Sequence, residues 1–155
     1  MPRTATVAEA ARLARIINDA FIVEAFFKIG DRTSTEEIVR LMNDGGEFLV
    51  TDDVSGCVYL KCGVERAYFG MLSIDPPRQG QGLGPRLIAA AEDRARERGC
   101  RFMDIHIVNL REELPPYYGR FGYTETGTLP FSDPERASRP CHFIVMSKPL
   151  GPPAR

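Results

Sequence analysis

Apolar side chains recur at three- and four-residue steps through the first stretch of the chain. Val7, Ala10, Ala11, Ala14, Ile17 and Phe21 share one face, which predicts a helix over residues 7–21, with Thr6 and Glu9 spaced as a capping box at its start. A second stripe, Ile38, Leu41 and Met42, predicts a helix over 34–44, opened by Ser34 and Glu37 and stopped by Gly45-Gly46. The aromatic-rich stretch 21–30 fits neither period. The pattern then becomes extended. Residues 47–52, 56–62 and 66–75 read as strands, with turn residues from Asp52 to Gly56 and with Pro76-Pro77 removing ladder donors after the third. A long helix is predicted over 83–98 from Leu83, Leu87, Ala90, Ala91 and Ala95, closed by Gly99. A strand over 102–108, a short helix near 112–120 and strands near 122–129 and 142–148 follow. This order predicts one mixed α/β sheet domain over residues 1–150 with helices packed on it. Residues 151–155, Gly-Pro-Pro-Ala-Arg, form a tail that continues neither a helix nor a central strand.

Length and composition narrow the class. A chain of 155 residues is one ordinary domain and buries enough surface to fold without a metal or disulfide staple. Twenty Lys and Arg against 21 Asp and Glu leave a formal charge of −1, which argues against a module held on nucleic-acid phosphates. No long apolar run or signal-peptide core is present, so no membrane association is expected. Cys57, Cys62, Cys100 and Cys141 form no CxxC and only two histidines accompany them, so no metal site is expected. Four reduced thiols fit a cytoplasmic protein.

The segment richest in chemistry is Ser73 to Pro85. A strand enters a glycine-rich turn and passes directly into the longest helix, whose first N–H groups lack intrahelical partners and carry partial positive charge. Glycines let that backbone come close to a ligand, so the junction reads as a phosphate or pyrophosphate cradle. Gly84-Pro85-Arg86 stands where a P-loop needs Gly-Lys-Ser/Thr, and three consecutive strands before the turn do not fit a dinucleotide fold.

Gln79-x-x-Gly82-x-Gly84 matches the Arg/Gln-x-x-Gly-x-Gly/Ala hallmark of the GNAT superfamily of acyl-CoA N-acyltransferases. Tyr117-Tyr118-Gly119-Arg120-Phe121-Gly122-Tyr123 matches a second element of that family. Over residues 3–148 the chain resembles this superfamily. The resemblance implies a single mixed, mostly antiparallel central sheet with helices on both faces, and adds a short strand near residues 3–5. It implies acetyl-CoA as acyl donor, held between splayed strands 66–75 and 102–108. The pyrophosphate would lie on the loop Gln79, Gly80, Gln81, Gly82, Leu83 and Gly84. The pantetheine arm would pair with Leu72, Ser73 and Ile74, and Asn109 would help hold that region. The Leu72 N–H would polarise the thioester carbonyl, and Tyr118 would protonate the departing thiolate.

Two departures stand out. Gly70 occupies the position where family members often carry a carboxylate base; Glu65 begins the same strand further away. Tyr118 lies nine residues after Asn109 rather than about seven, with Pro115-Pro116 between. Asp104 and His106 share a strand face, which reads as a polar pair in a sheet more readily than as a base. Cys141 and His142 are adjacent in an extended segment and so point apart. Phe21, Glu24, Phe26, Phe27, Phe131 and His142 are the candidate acceptor-pocket residues, with Asp31 as a second acidic group and 131–140 as a loop over the mouth. The leading expectation is an amine acetyltransferase working by direct attack. A non-catalytic CoA-binding module and a hydrolase using Cys57, Cys62 or Cys141 are the alternatives. The acceptor amine is left open, as is a homodimer through the last strands.

Overall fold

The computed structural model describes residues 1–152. Its elements are β1 (Arg3–Thr4), α1 (Ala10–Ala20), α2 (Thr35–Asn43), β2 (Glu47–Val50), β3 (Gly56–Cys62), β4 (Arg66–Ile74), α3 (Leu83–Glu97), β5 (Phe102–Val108), α4 (Leu114–Gly119), β6 (Thr124–Pro130) and β7 (His142–Pro149). The expected tail begins here, but residues 153–155 lie outside the described residues.

Seven strands form one sheet in the order β1-β2-β3-β4-β5-β7-β6. Every pairing is antiparallel except β4 with β5. Period-two alternation divides the central strands between two cores. In β3, Cys57 and Tyr59 join Leu13, Ile16, Ile17 and Ile38 beneath α1 and α2. Val58 and Leu60 face the other way and join Leu87, Ile88, Ala91 and Ala95 of α3. Each buried Leu or Ile contributes about 1.5–3 kcal/mol by leaving water.

The helix ends follow their local chemistry. Ser34 Oγ accepts from the Glu37 N–H at 3.1 Å. Thr6 does not open a continuous helix: residues 7–9 form a 3-10 turn before α1, and the Glu9 carboxylate accepts the Thr6 N–H at 2.9 Å. The undecided aromatic stretch is a 3-10 segment, Phe21–Phe26. At the far end of α3, Gly99 takes φ +85° while the Cys100 and Gly99 N–H groups return to Ala95 and Arg96 at 2.9 and 3.0 Å, a Schellman closure.

One buried cluster ties α3 to the last strands. The Glu92 carboxylate accepts from Tyr123 Oη at 2.7 Å and from Lys148 Nζ at 3.0 and 3.1 Å.

Candidate functional site

The site grows from a gap in the sheet. β4 pairs with β5 only at Arg66–Phe102, Ala67–Met103 and Tyr68–Asp104. Beyond Tyr68 the two strands separate, while β5 continues against β7 as far as Val108–Phe143. On its other side β4 carries a bulge. Gly70 faces Tyr59 and Ser73 faces Cys57, so Met71 and Leu72 together oppose Val58. Met71 takes φ +54°, a conformation unfavourable to a side chain, and Ser73 Oγ donates to its carbonyl at 2.9 Å. A bulge of this kind disrupts the ladder and re-aims the backbone, here at Leu72.

β4 leads through Pro76–Arg78 into the glycine turn and α3. Gly80 and Gly82 take φ +79° and +77°, and a Cβ on either would meet nothing within 4 Å. Gly82 is the residue preceding the helix, so the first α3 N–H groups open toward the same space. The turn is held from behind. Gln79 donates to the Ile74 carbonyl at 3.2 Å, and Arg78 donates to Gln81 at 2.9 Å and to Asp53. Gln79, Gly80, Gln81 and Gly82 thus form the turn at the end of the strand carrying Leu72, Ser73 and Ile74, and Leu83 and Gly84 open α3 directly after it.

A cavity of about 270 Å³ occupies the gap between β4 and β5. Gly70, Met71 and Leu72 line one side and Ile105 to Val108 the other, with Tyr118 at its edge. Tyr118 is 9% exposed and packs edge-on against Tyr117, with Phe69 and Tyr123 nearby. Burial pushes its phenol well above the ordinary tyrosine range, so the hydroxyl stays protonated. Tyr68 also lines the cavity and is raised by burial. Neither phenol oxygen has a hydrogen-bond partner among the described residues, yet no sealed side-chain oxygen there goes unsatisfied; both hydroxyls therefore reach open space.

The missing carboxylate has a steric counterpart. A Cβ on Gly70 would lie 2.5 Å from Tyr68 Oη and 3.0 Å from Cζ. The tyrosine two residues earlier folds over the position and fills the space a longer side chain would need. Tyr68 also begins an aromatic wall: its ring lies 4.8 Å from His106, His106 5.7 Å from Phe143, and Phe143 5.3 Å from Phe131. His106 and Asp104 do not pair. The Asp104 carboxylate is held by Arg66 at 2.6 and 2.8 Å and by Ser147 at 2.6 Å, and burial lowers the His106 pKa.

Several other expected residues stand apart. Asn109 Oδ1 accepts the His142 N–H at 2.8 Å and ties β5 to β7; its side chain is not among the cavity walls. Of the acceptor-pocket residues, Phe21, Glu24 and Phe131 line the cavity. Phe27 is buried core, Phe26 is 47% exposed, and Phe143 lines the cavity where His142 does not. Glu24 is not a free acidic group, because the half-buried Arg111 holds its buried carboxylate at 2.9 Å. Neither Glu65, Asp31 nor any cysteine lines the cavity, and burial pushes the Cys57 thiol up to about 12. Lys28, Arg32, Arg111, Arg136 and Tyr68 are cavity residues that no sequence motif announced. Among the described residues no cluster could hold a metal, and no helix is long and apolar enough to cross a membrane.

Residues 11–123 match the family model of the acetyltransferase (GNAT) family. The chain is 26% identical to an acetyltransferase of Agrobacterium fabrum over 122 residues, 77% of this chain and 81% of that protein. It is 37% identical to the blasticidin-S acetyltransferase of Streptomyces morookaense over 76 residues, 48% of this chain and 52% of that one. Its fold superposes on an aminoglycoside 6'-N-acetyltransferase complexed with coenzyme A, with a TM-score of 0.76 at 17% identity over 100% of this chain and 99% of the other. A Salmonella typhimurium protein described as a putative acetyltransferase, with its cofactor acetyl-CoA, gives 0.73 at 22% identity over 100% and 96%. With two family motifs in order and a family-model match across most of its length, the chain is a member of the GNAT acetyltransferase family.

Proposed function

We propose that the protein transfers an acetyl group from acetyl-CoA to a primary amine by direct attack of the amine on the thioester. The observation that carries this reading is the opened β4–β5 seam, with the Leu72 bulge on one side and the buried Tyr118 at its edge. Positive-φ glycines with open space where a Cβ would stand, followed by free helix N–H groups, suit a pyrophosphate. The β4 backbone at Leu72, Ser73 and Ile74, which has no β5 partner, suits the amides of a pantetheine arm added as a short strand.

The chemistry divides among few groups. The neutral amine adds to the thioester carbonyl, and charge grows on its oxygen, where the Leu72 N–H donates. The carbon–sulfur bond then breaks. Tyr118 Oη gives its proton to the leaving thiolate and regains one, through water, from the nitrogen that has become an amide. Burial keeps the phenol protonated, so its proton is present when the thiolate forms, and the hydroxyl opens to the cavity. With Gly70 in place of a carboxylate, the amine loses its first proton to solvent before it attacks.

Thiol release from acetyl-CoA across a panel of amines tests the reading. Tyr118→Phe is expected to lower kcat about 10²–10⁴-fold with acetyl-CoA affinity retained. Unchanged turnover would remove Tyr118 from the chemistry. Acetyl-CoA binding without amine-dependent thiol release would favour the non-catalytic module that the absent carboxylate suggests.

A further inference from the structure

We propose that the acceptor amine carries a carboxylate or similar small oxyanion, and that Lys28 and Arg32 hold this group inside the cavity. The proposal rests on the acyl-transfer reading above and names the substrate class of the same site.

The argument is one of charge pairing. Glu24 is engaged by Arg111 at 2.9 Å, and Arg111 also holds Glu113 at 2.9 Å. Arg136 donates to the Asp31 carbonyl at 2.9 Å and lies 3.8 Å from Asp133. Glu37 accepts from Thr33 Oγ1 at 2.6 Å and lies 3.6 Å from Arg40. Two cavity cations remain. Neither Lys28 nor Arg32 has an acidic side chain within 4.0 Å, or any side-chain hydrogen-bond acceptor, among the described residues.

Both are held in place by other means. The Lys28 backbone is bridged to Ala137 of the β6–β7 loop, and its N–H bonds the Glu24 carbonyl at 2.9 Å. The Arg32 guanidinium lies over the Phe21 ring, 5.4 Å from its centroid. Glu24, Glu37 and Asp133 together with Arg32 and Arg136 are the charged groups around Lys28; burial and the Arg32 charge bring its pKa down to about 8. A partly buried cation that shares its surroundings with a second cation and pairs with no carboxylate within 4.0 Å is stabilised when an anion joins it. Charge-assisted hydrogen bonds to an oxyanion would satisfy both. The cavity is of small-molecule size, and its other walls hold Leu72, Tyr68 and Tyr118. An amine whose own oxyanion lies a few bonds from the nitrogen would therefore place the nitrogen toward the thioester. A polycationic acceptor would meet repulsion at the same position.

Paired probes test this: each of the twenty amino acids and its carboxamide, with kanamycin as a polycation, assayed with acetyl-CoA by thiol release. For the best scaffold, the free acid is expected to exceed its amide at least tenfold in kcat/KM. Lys28→Met and Arg32→Gln are each expected to shrink that ratio to within about twofold, with acetyl-CoA binding by calorimetry unchanged. A preference for amides or kanamycin, a ratio unaltered in both variants, or no acid turned over above the acceptor-free rate would overturn the proposal. Loss of acetyl-CoA binding by the unmodified protein would instead overturn the acyl-transfer reading.

Discussion

Replacing Gly82 by alanine separates the stability of the glycine turn from its proposed use. Gly82 sits at φ +77° with nothing within 4 Å of an added Cβ, so the free protein bears only the conformational penalty. That penalty is about 1 kcal/mol, or roughly 2–4 °C in Tm for a chain of this size. A bound pyrophosphate changes the balance, because the new methyl group would stand where the backbone must approach the ligand. At one hundred times its Kd, acetyl-CoA should add about 2.7 kcal/mol of stability to the unmodified protein. A tenfold weaker complex at the same concentration would retain about 1.4 kcal/mol. Gly99→Ala is a matched control. Gly99 has φ +85°, equally open space and a Schellman closure, but lies at the opposite end of α3, about 22 Å away at 1.5 Å per residue. Thermal unfolding of both variants with and without acetyl-CoA should give similar losses in the free protein and a diminished ligand shift only for Gly82→Ala. A full ligand shift in Gly82→Ala, or an equally diminished ligand shift in Gly99→Ala, would refute the cradle.

Three further outcomes follow from the packing. Glu92→Ala strands the Tyr123 hydroxyl and the Lys148 ammonium, and should cost about 3–5 kcal/mol in urea unfolding with little change in m-value. Gly70→Ala drives a methyl group into Tyr68 Oη and should cost about 1–3 kcal/mol, part of which returns in a Tyr68→Phe background, read by a double-mutant cycle. Lys28 has a folded-state pKa near 8 against about 10.4 unfolded, so the unfolded chain binds more protons between those values and this group's contribution to stability rises with pH across that window. The stability of the unmodified protein relative to Lys28→Met should therefore improve from pH 7.5 to 10, by less than about 1.4 kcal/mol per pKa unit because solvent screens the partly exposed side chain; a flat or falling difference would contradict the shift.

What could be read from sequence was whatever depends on local chemistry. The stripe from Leu83 to Ala95, the Ser34 cap and the closures at Gly45 and Gly99 each act within a few residues, and the helices stand where those signals put them. The turn from Gln79 to Gly84 and its place after a strand were visible for the same reason. The sequence did not reveal which side chains meet across the gap. Lys28 reaches the cavity because its backbone bridges to Ala137, more than a hundred positions later. Glu24 looked free until Arg111, from the loop after β5, arrived to neutralise it. Tyr68 resembled an ordinary alternating strand residue; only the close approach over Gly70 gives it a second meaning. Such long-range pairings leave no periodic trace.

The parting of β4 from β5 places an exposed strand edge inside a sheet rather than at its margin. Unpaired backbone at an edge invites any extended peptide to add to it, and proteins usually guard such rows against self-association. Here the left-handed Met71 supplies the guard. Its kink breaks the row into short runs, so an incoming peptide strand finds few consecutive rungs on which to zip, whereas a ligand no longer than a pantetheine arm needs no more. On the proposed function, the same irregularity that turns the backbone at Leu72 would favour a small extended molecule in the opening over the strand of another protein chain.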